Sequence, residues 1–138
     1  MTAAATGVVR AQRRPATVLP GKGSGAALLT VTAKAIWSGA VVISVRGEVD
    51  RCTSPLLQDA VLAQLRPAGP SLVIDLTEVG FFGAAGLTVL VTVRQAAVAA
   101  DVRLRVVART RVVLLPLTIT GLDRMFDIYP ELAGGPDG

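Results

Sequence analysis

Residues Ser71 to Leu90, SLVIDLTEVGFFGAAGLTVL, change their hydrophobic period partway along, and this change restricts the fold more than any other feature of the 138-residue chain. Ser71-Leu72-Val73-Ile74-Asp75-Leu76 is a short aliphatic run of the kind that a strand buried on both faces requires. Leu87, Leu90, Val91 and Arg94 then recur at helical spacing. The switch falls within Gly80-Phe81-Phe82-Gly83-Ala84-Ala85-Gly86, which predicts a tight turn leading from a third strand, Ser71 to Leu76, into a helix from about Ala84 to Ala100. The first turn of a helix has N–H groups without intrahelical partners and a partial positive charge. Such a junction suits a phosphate, a carboxylate or a partner's side chain.

The flanking sequence extends this unit in both directions. Leu28 to Ile36 and Val41 to Val49 are β-rich runs, and Trp37-Ser38-Gly39-Ala40 between them suits a hairpin turn. Thr53 or Ser54 can cap a helix with Pro55 in its first turn, and Leu56, Leu57, Ala60, Val61 and Leu65 form its apolar stripe. Asp101 falls in a turn before a fourth strand, Val102 to Val107. A helical segment follows from Arg111 to Thr120, in which Pro116 is expected to kink the helix or restrict it to the two sides of the proline; Gly121 is expected as a left-handed stop. A short strand or turn is expected around Phe126 to Tyr129. Strands alternating with helices imply parallel crossovers, and the strand ends at Asp50 and Gly83 are expected to lie side by side.

The central segment resembles the signature of STAS domains, most closely that of bacterial anti-sigma-factor antagonists. In that family an Asp-Leu-Ser strand end leads through Val-x-Phe-hydrophobic to Asp-Ser-Ser/Thr-Gly-Leu. Asp75-Leu76-Thr77, Val79, Phe81, Phe82, Gly86 and Leu87 follow the pattern in order. Val42 to Asp50, with its Gly47-Glu48-Val49-Asp50 ending, resembles the family's second strand, and Thr118 to Tyr129 resembles its late Thr-Gly-Leu-Asp-x-x-Phe-x-Ile-Tyr segment. The resemblance implies an α/β fold: a STAS-like mixed β-sheet of four to five strands with helices packed mainly on one face. It also implies a partner, a serine-kinase-type anti-sigma factor, which in the family phosphorylates the first serine of the motif. Here Ala84 occupies that position, Gly83 replaces the aspartate and Ala85 the second hydroxyl residue, so the usual phosphorylation switch has no oxygen to act on.

Composition excludes several other classes. Residues 1–26 form a leader with four cations, Arg10, Arg13, Arg14 and Lys22, and no acid; the remainder balances ten basic against ten acidic residues, so the net charge of +4 belongs to the leader. This leader reads as disordered, followed by the domain at 27–133 and a frayed tail at 134–138. It lacks the apolar core of a signal peptide, and no stretch reaches the roughly 18 to 20 apolar residues of a membrane span, so a cytoplasmic location is expected, with no membrane partner. Aromatic residues make up 4% of the chain, too few for the stacking surface of a single-strand nucleic-acid binder. With no histidine and one cysteine, a zinc site, a Cys-His pair, a Ser-His-Asp triad and an internal disulfide are all excluded, and neither an enzyme nor a cofactor is expected. Cys52 precedes a helix start, where a thiol pKa can be lowered, but the simpler reading is a small, partly buried residue.

The candidate partner-binding set is Glu48, Asp50, Thr53, Phe82, Gly83, Ala84, Ala85 and Gly86. Asp50 reads equally as a helix-capping acid, and Glu48 as a solvent-facing strand residue. Gly83 to Gly86 form either a flat surface for close approach or a device for tight strand-to-helix packing. Asp75 is expected to accept backbone N–H bonds in the turn after its strand. Of the adjacent Phe81 and Phe82, one should face the core and the other solvent. Thr88 and Thr92 are candidate substitute phosphosites or, more simply, packing residues bonded back to the helix. The leading functional expectation is a non-enzymatic antagonist that frees a sigma factor without phosphorylation at Ala84. The alternatives are a sensor holding a small anion, nucleotide or lipid at the corner, and a scaffold that pairs with itself or another STAS protein.

Overall fold

The computed structural model describes residues 18–20, 28–36 and 38–132. They form one sheet of strands β1 (Val18–Pro20), β2 (Leu28–Ala35), β3 (Val41–Val49), β4 (Leu72–Phe82), β5 (Leu104–Val107) and β6 (Asp127–Tyr129), in that spatial order. The helices are α1 (Ser54–Leu62), α2 (Ala84–Ala100) and α3 (Arg111–Thr120), with a 3₁₀ turn at Leu122–Arg124. β1, β2 and β3 run antiparallel, whereas β3, β4, β5 and β6 are parallel neighbours joined through α1, α2 and α3. The mixed sheet therefore matches the expected architecture, with one short strand more than anticipated. That strand, Val18–Pro20, belongs to the segment expected to be a disordered leader, yet it pairs with Leu28–Thr30. The remainder of the leader, Trp37 and residues 133–138 lie outside the described residues.

All three helices cover one face. Leu57 and Val61 of α1, Val89, Leu90, Val93 and Ala97 of α2, and Val113 and Leu117 of α3 pack over Leu29, Val31, Ile43, Val45, Leu72, Ile74, Leu76 and Val106 from the sheet. A smaller cluster on the other face contains Ala40, Val42, Val73 and Val107. The middle strands are thus buried on both sides at one end, which accounts for the unbroken runs Val41-Val42-Ile43 and Leu72-Val73-Ile74. Farther along, the uncovered face turns polar, and a shallow groove of about 420 Å³ is lined by Thr30, Thr32, Ser44, Arg46, Asp75, Thr77 and Glu78.

The largest departure from expectation is in β4, which continues to Phe82 instead of stopping at Leu76. Its 11 residues run beside the 9 of β3 because the register slips twice, once between Ser44 and Arg46 and again between Gly47 and Glu48. Each slip is a bulge that inserts one extra residue into β4 and advances the inward-facing position by three residues instead of two. The buried series on the helix-covered face therefore runs Leu72, Ile74, Leu76, Val79 and Phe82, while β3 keeps strict alternation through Val41, Ile43, Val45 and Val49. Asp75 holds the first bulge: its Oδ1 accepts the Thr77 amide at 3.0 Å and the Thr77 hydroxyl at 2.8 Å. The residue has the expected structural role, within a continuing strand and not in a turn.

The helix ends follow local chemistry. Asp101 closes α2 in the left-handed region, at φ 59°, and Gly121 closes α3 at φ 77°, where the absence of a Cβ removes the strain. Pro116 lies inside one continuous helix, so of the two expectations it does not restrict α3 to separate segments on its two sides. The helix runs through it because Val113 and Leu117 anchor both halves in the core, and the Val112 carbonyl that loses its donor belongs to a solvent-facing residue.

Candidate functional site

The ends of β3 and β4 meet at one corner of the sheet. Val49 is in register with Phe82, and the Gly83 amide donates to the Val49 carbonyl at 3.0 Å, so Asp50 and Gly83 are neighbours as the sequence implied. From here β3 turns into α1 and β4 into α2. The strand-to-helix junction consists of Gly83 alone, in extended backbone and without a side-chain cap.

The β3 side of the corner is held by Asp50 and Thr53. Asp50 Oδ1 accepts the Cys52 amide at 2.8 Å and the Thr53 amide at 2.9 Å. The Thr53 hydroxyl accepts the Asp50 amide at 3.0 Å and donates to the Glu48 carbonyl at 2.6 Å, with Asp50 Oδ1 3.1 Å away as an alternative acceptor. The Thr53 amide above all, joined by its hydroxyl and the Cys52 amide, lowers the Asp50 pKa from the usual 3.8, although partial burial works the other way. A depressed pKa stabilises the fold above the unfolded value, and this contribution disappears as pH falls through the folded one. Asp50→Ala is accordingly expected to lose about 0.5–2 kcal/mol at neutral pH. In Asp50→Asn, the pH dependence of the melting temperature below pH 5 should flatten; an unchanged acid limb would refute this assignment.

These contacts separate the predicted residues into two groups. Glu48 and Ala84 are exposed, and Asp50, Gly83 and Ala85 are partly so. Thr53 is 1% exposed and Phe82 4%, and Gly86 is also buried, so these three support the corner from within and are not presented to a partner. Thr53 is occupied by its own hydrogen bonds. Phe82 faces inward because the second bulge places it in the buried series, and Gly86 lies beneath its ring. Phe81, omitted from the predicted set, is the residue that faces solvent, at 50% exposure. It is in register with Glu48, and its ring lies over Gly83 so closely that a Cβ there would be 3.1 Å from Phe81 Cε2. The signal available for Phe81 was the rule that one of two adjacent strand residues faces out; the bulge decided which.

The junction offers few free donors. The Gly83 amide is taken by Val49, and the Gly86 and Leu87 amides donate to the Gly83 carbonyl at 2.9 and 3.3 Å, leaving those of Ala84 and Ala85. Thr88 donates to the Ala84 carbonyl at 3.2 Å, the helix back-bond expected of it. Cys52 is exposed, not partly buried as expected. Among the described residues no three His, Cys, Asp or Glu side chains gather into a metal-binding group. The corner brings together an exposed aromatic ring, two acids and a stretch of small residues.

The sequence matches the STAS domain family over residues 32–134. It is 35% identical over 104 residues to the anti-sigma-F factor antagonist RsfB of Mycobacterium tuberculosis, covering 75% of this chain and 84% of that protein. The crystal structure of an anti-sigma factor antagonist from Mycobacterium paratuberculosis is 37% identical and superposes with a TM-score of 0.65, over 75% of this chain and 87% of that one. A Thermotoga maritima protein of 19% identity shares the fold, with a TM-score of 0.61 over 72% of this chain and 86% of that one.

Proposed function

The chain belongs to the STAS domain family, and on that premise we propose that it is a non-enzymatic anti-sigma-factor antagonist, binding a serine-kinase-type anti-sigma factor and thereby freeing a sigma factor. The observation that carries the reading is the exposed Ala84 at the first helical position of α2, set beside Asp50 at a corner that presents Phe81 and Glu48. The similarity to named antagonists supports the partner class. Docking involves Glu48, Asp50, Phe81, Gly83, Ala84 and Ala85, with Thr53, Phe82 and Gly86 holding them in place. Control is by abundance and not by modification at Ala84. A phosphoserine would add about −1.5 to −2 charges at this surface, beside two acids, and alanine precludes that.

The test is capture of the purified full-length protein by the host's serine-kinase-type anti-sigma factors, with ATP and with ADP, followed by intact mass. Equal capture under both nucleotides, with no added phosphate, is the expected result. Ala84→Ser, whose new hydroxyl would lie on the exposed first turn, is expected to gain one phosphate with ATP and then to lose capture. Phosphorylation of the unaltered chain elsewhere, at Thr88 for example, with loss of binding would overturn control by abundance. Failure to bind any such factor would overturn the antagonist reading.

A further inference from the structure

Helix α3 leaves an apolar face without cover. Arg111, Val112, Leu115, Thr118 and Ile119 fall on one arc of the helix, opposite the buried Val113 and Leu117, and all five are exposed. Val112 is 39% exposed, Leu115 44% and Ile119 73%. Three aliphatic side chains aligned at i, i+3 and i+7 form a continuous strip, unlike the isolated apolar residues common on any surface.

Basic residues dominate the charges around this strip, with the partly buried Asp123 as the acid next to Arg124 in sequence. Arg109 and Arg111 flank its start, Arg124 follows its end, and all three are exposed. Among the described residues the ion pairs are Arg46–Glu78 and Arg103–Asp127, so none of these three arginines has an acidic partner. No acidic residue lies in the first turn of α3 to offset the helix dipole. Pro116 also withdraws the usual donor from the Val112 carbonyl, leaving an acceptor on the exposed side.

We propose that this face of α3 is a docking surface for an acidic amphipathic helix of a partner protein, with apolar side chains laid on Val112, Leu115 and Ile119 and carboxylates paired with Arg109, Arg111 and Arg124. Guanidinium groups match carboxylates in a planar, two-bond geometry, and an apolar strip with a charged rim is how helix-in-groove recognition is read. A second copy of this chain is the poorer fit, because a two-fold α3–α3 contact brings arginines against arginines. An anionic membrane is also poorer: the face lacks the Trp or Phe and the lysines typical of helices that lie in the lipid interface. This surface is separate from the β3–β4 corner and does not depend on the antagonist reading.

The test uses the full-length protein and two synthetic peptides of identical composition. One places leucines at i, i+3, i+4 and i+7 with glutamates on the flanks; the other is scrambled. Binding is followed by labelled-peptide anisotropy at low and high salt and mapped by backbone amide NMR shifts. The ordered peptide is expected to bind at least roughly tenfold more tightly than the scrambled one, to weaken with salt and to shift residues 111–119. Ile119→Glu should abolish binding while leaving the melting temperature unchanged, since the side chain is mostly in solvent. Arg111→Glu should weaken binding and reduce its salt dependence. Equal binding of both peptides, shifts centred on the β3–β4 corner, or full binding by Ile119→Glu would overturn the proposal. So would tighter association with phosphatidylserine vesicles than with the ordered peptide, or self-association that Ile119→Glu abolishes.

Discussion

Replacing Phe82 with alanine is expected to cost about 3–5 kcal/mol, the usual range for truncating a buried aromatic residue, and to lower the melting temperature by roughly 15 °C or more. The ring is buried where β4 meets α2, and it packs onto Gly86 without room for a side chain. A Cβ at Gly86 would be 2.7 Å from Phe82 Cε1 and 2.9 Å from Cζ. Gly86→Ala gains up to about 1 kcal/mol in helix propensity, but crowding against a ring fixed in the core costs about 1–3 kcal/mol. The net effect is destabilising. The two substitutions should not add: an alanine methyl at position 86 enters space that the ring vacates, so the double variant is expected to be more stable than the sum of the single changes implies, by about 0.5–3 kcal/mol. Thermal and urea unfolding of the three variants measures this directly. Additive losses would mean that the ring and Gly86 do not share the contact described.

Phe81→Ala should have the opposite profile, with little loss of stability and a large loss of partner affinity. An exposed aromatic residue at a protein-binding surface is a typical hot spot, worth about 2 kcal/mol or more on truncation, or about a 30-fold rise in Kd for the anti-sigma factor. Gly83→Ala tests whether the ring's placement matters. The backbone there is extended, at φ −94°, and accepts alanine. The new Cβ, 3.1 Å from Phe81 Cε2, would displace a ring that is free to swing into solvent. Stability should therefore change little while affinity falls. Retention of affinity within about twofold in Phe81→Ala would remove Phe81 from the interface.

Much of the architecture could be read from the order of residues. The span of α2, Ala84–Ala100, follows from the apolar period and from Asp101 at its end, and α3 ends at Gly121 as expected. The meeting of Asp50 with Gly83 followed from two parallel strands ending together, and the hydrogen-bonding role of Asp75 from its short side chain. The course of β4 was not legible. Its bulges break the two-residue alternation on which strand reading depends, so Leu76, Val79 and Phe82, three residues apart, do not resemble a continuing strand. The same bulges turn Phe82 into the core and Phe81 to solvent, whereas the predicted set contained Phe82. Thr53 stands at the N-cap position as read, but its hydroxyl bonds backward to the Glu48 carbonyl, and the residue is buried instead of presented at the surface. Of the two alternatives for Pro116, the break did not occur, because local propensity takes no account of the core contacts on either side of it.

A junction one residue long also governs how this surface can diversify. With Gly83 alone between β4 and α2, a residue added within the first turn of the helix would turn the rest of α2 by ~100° about its axis, moving Val89, Leu90 and Val93 off the sheet. A side chain at position 84, by contrast, stands on the exposed first turn of α2. Under the proposed function, a hydroxyl gained or lost at this exposed position would change the mode of control while leaving the fold that displays it as it is.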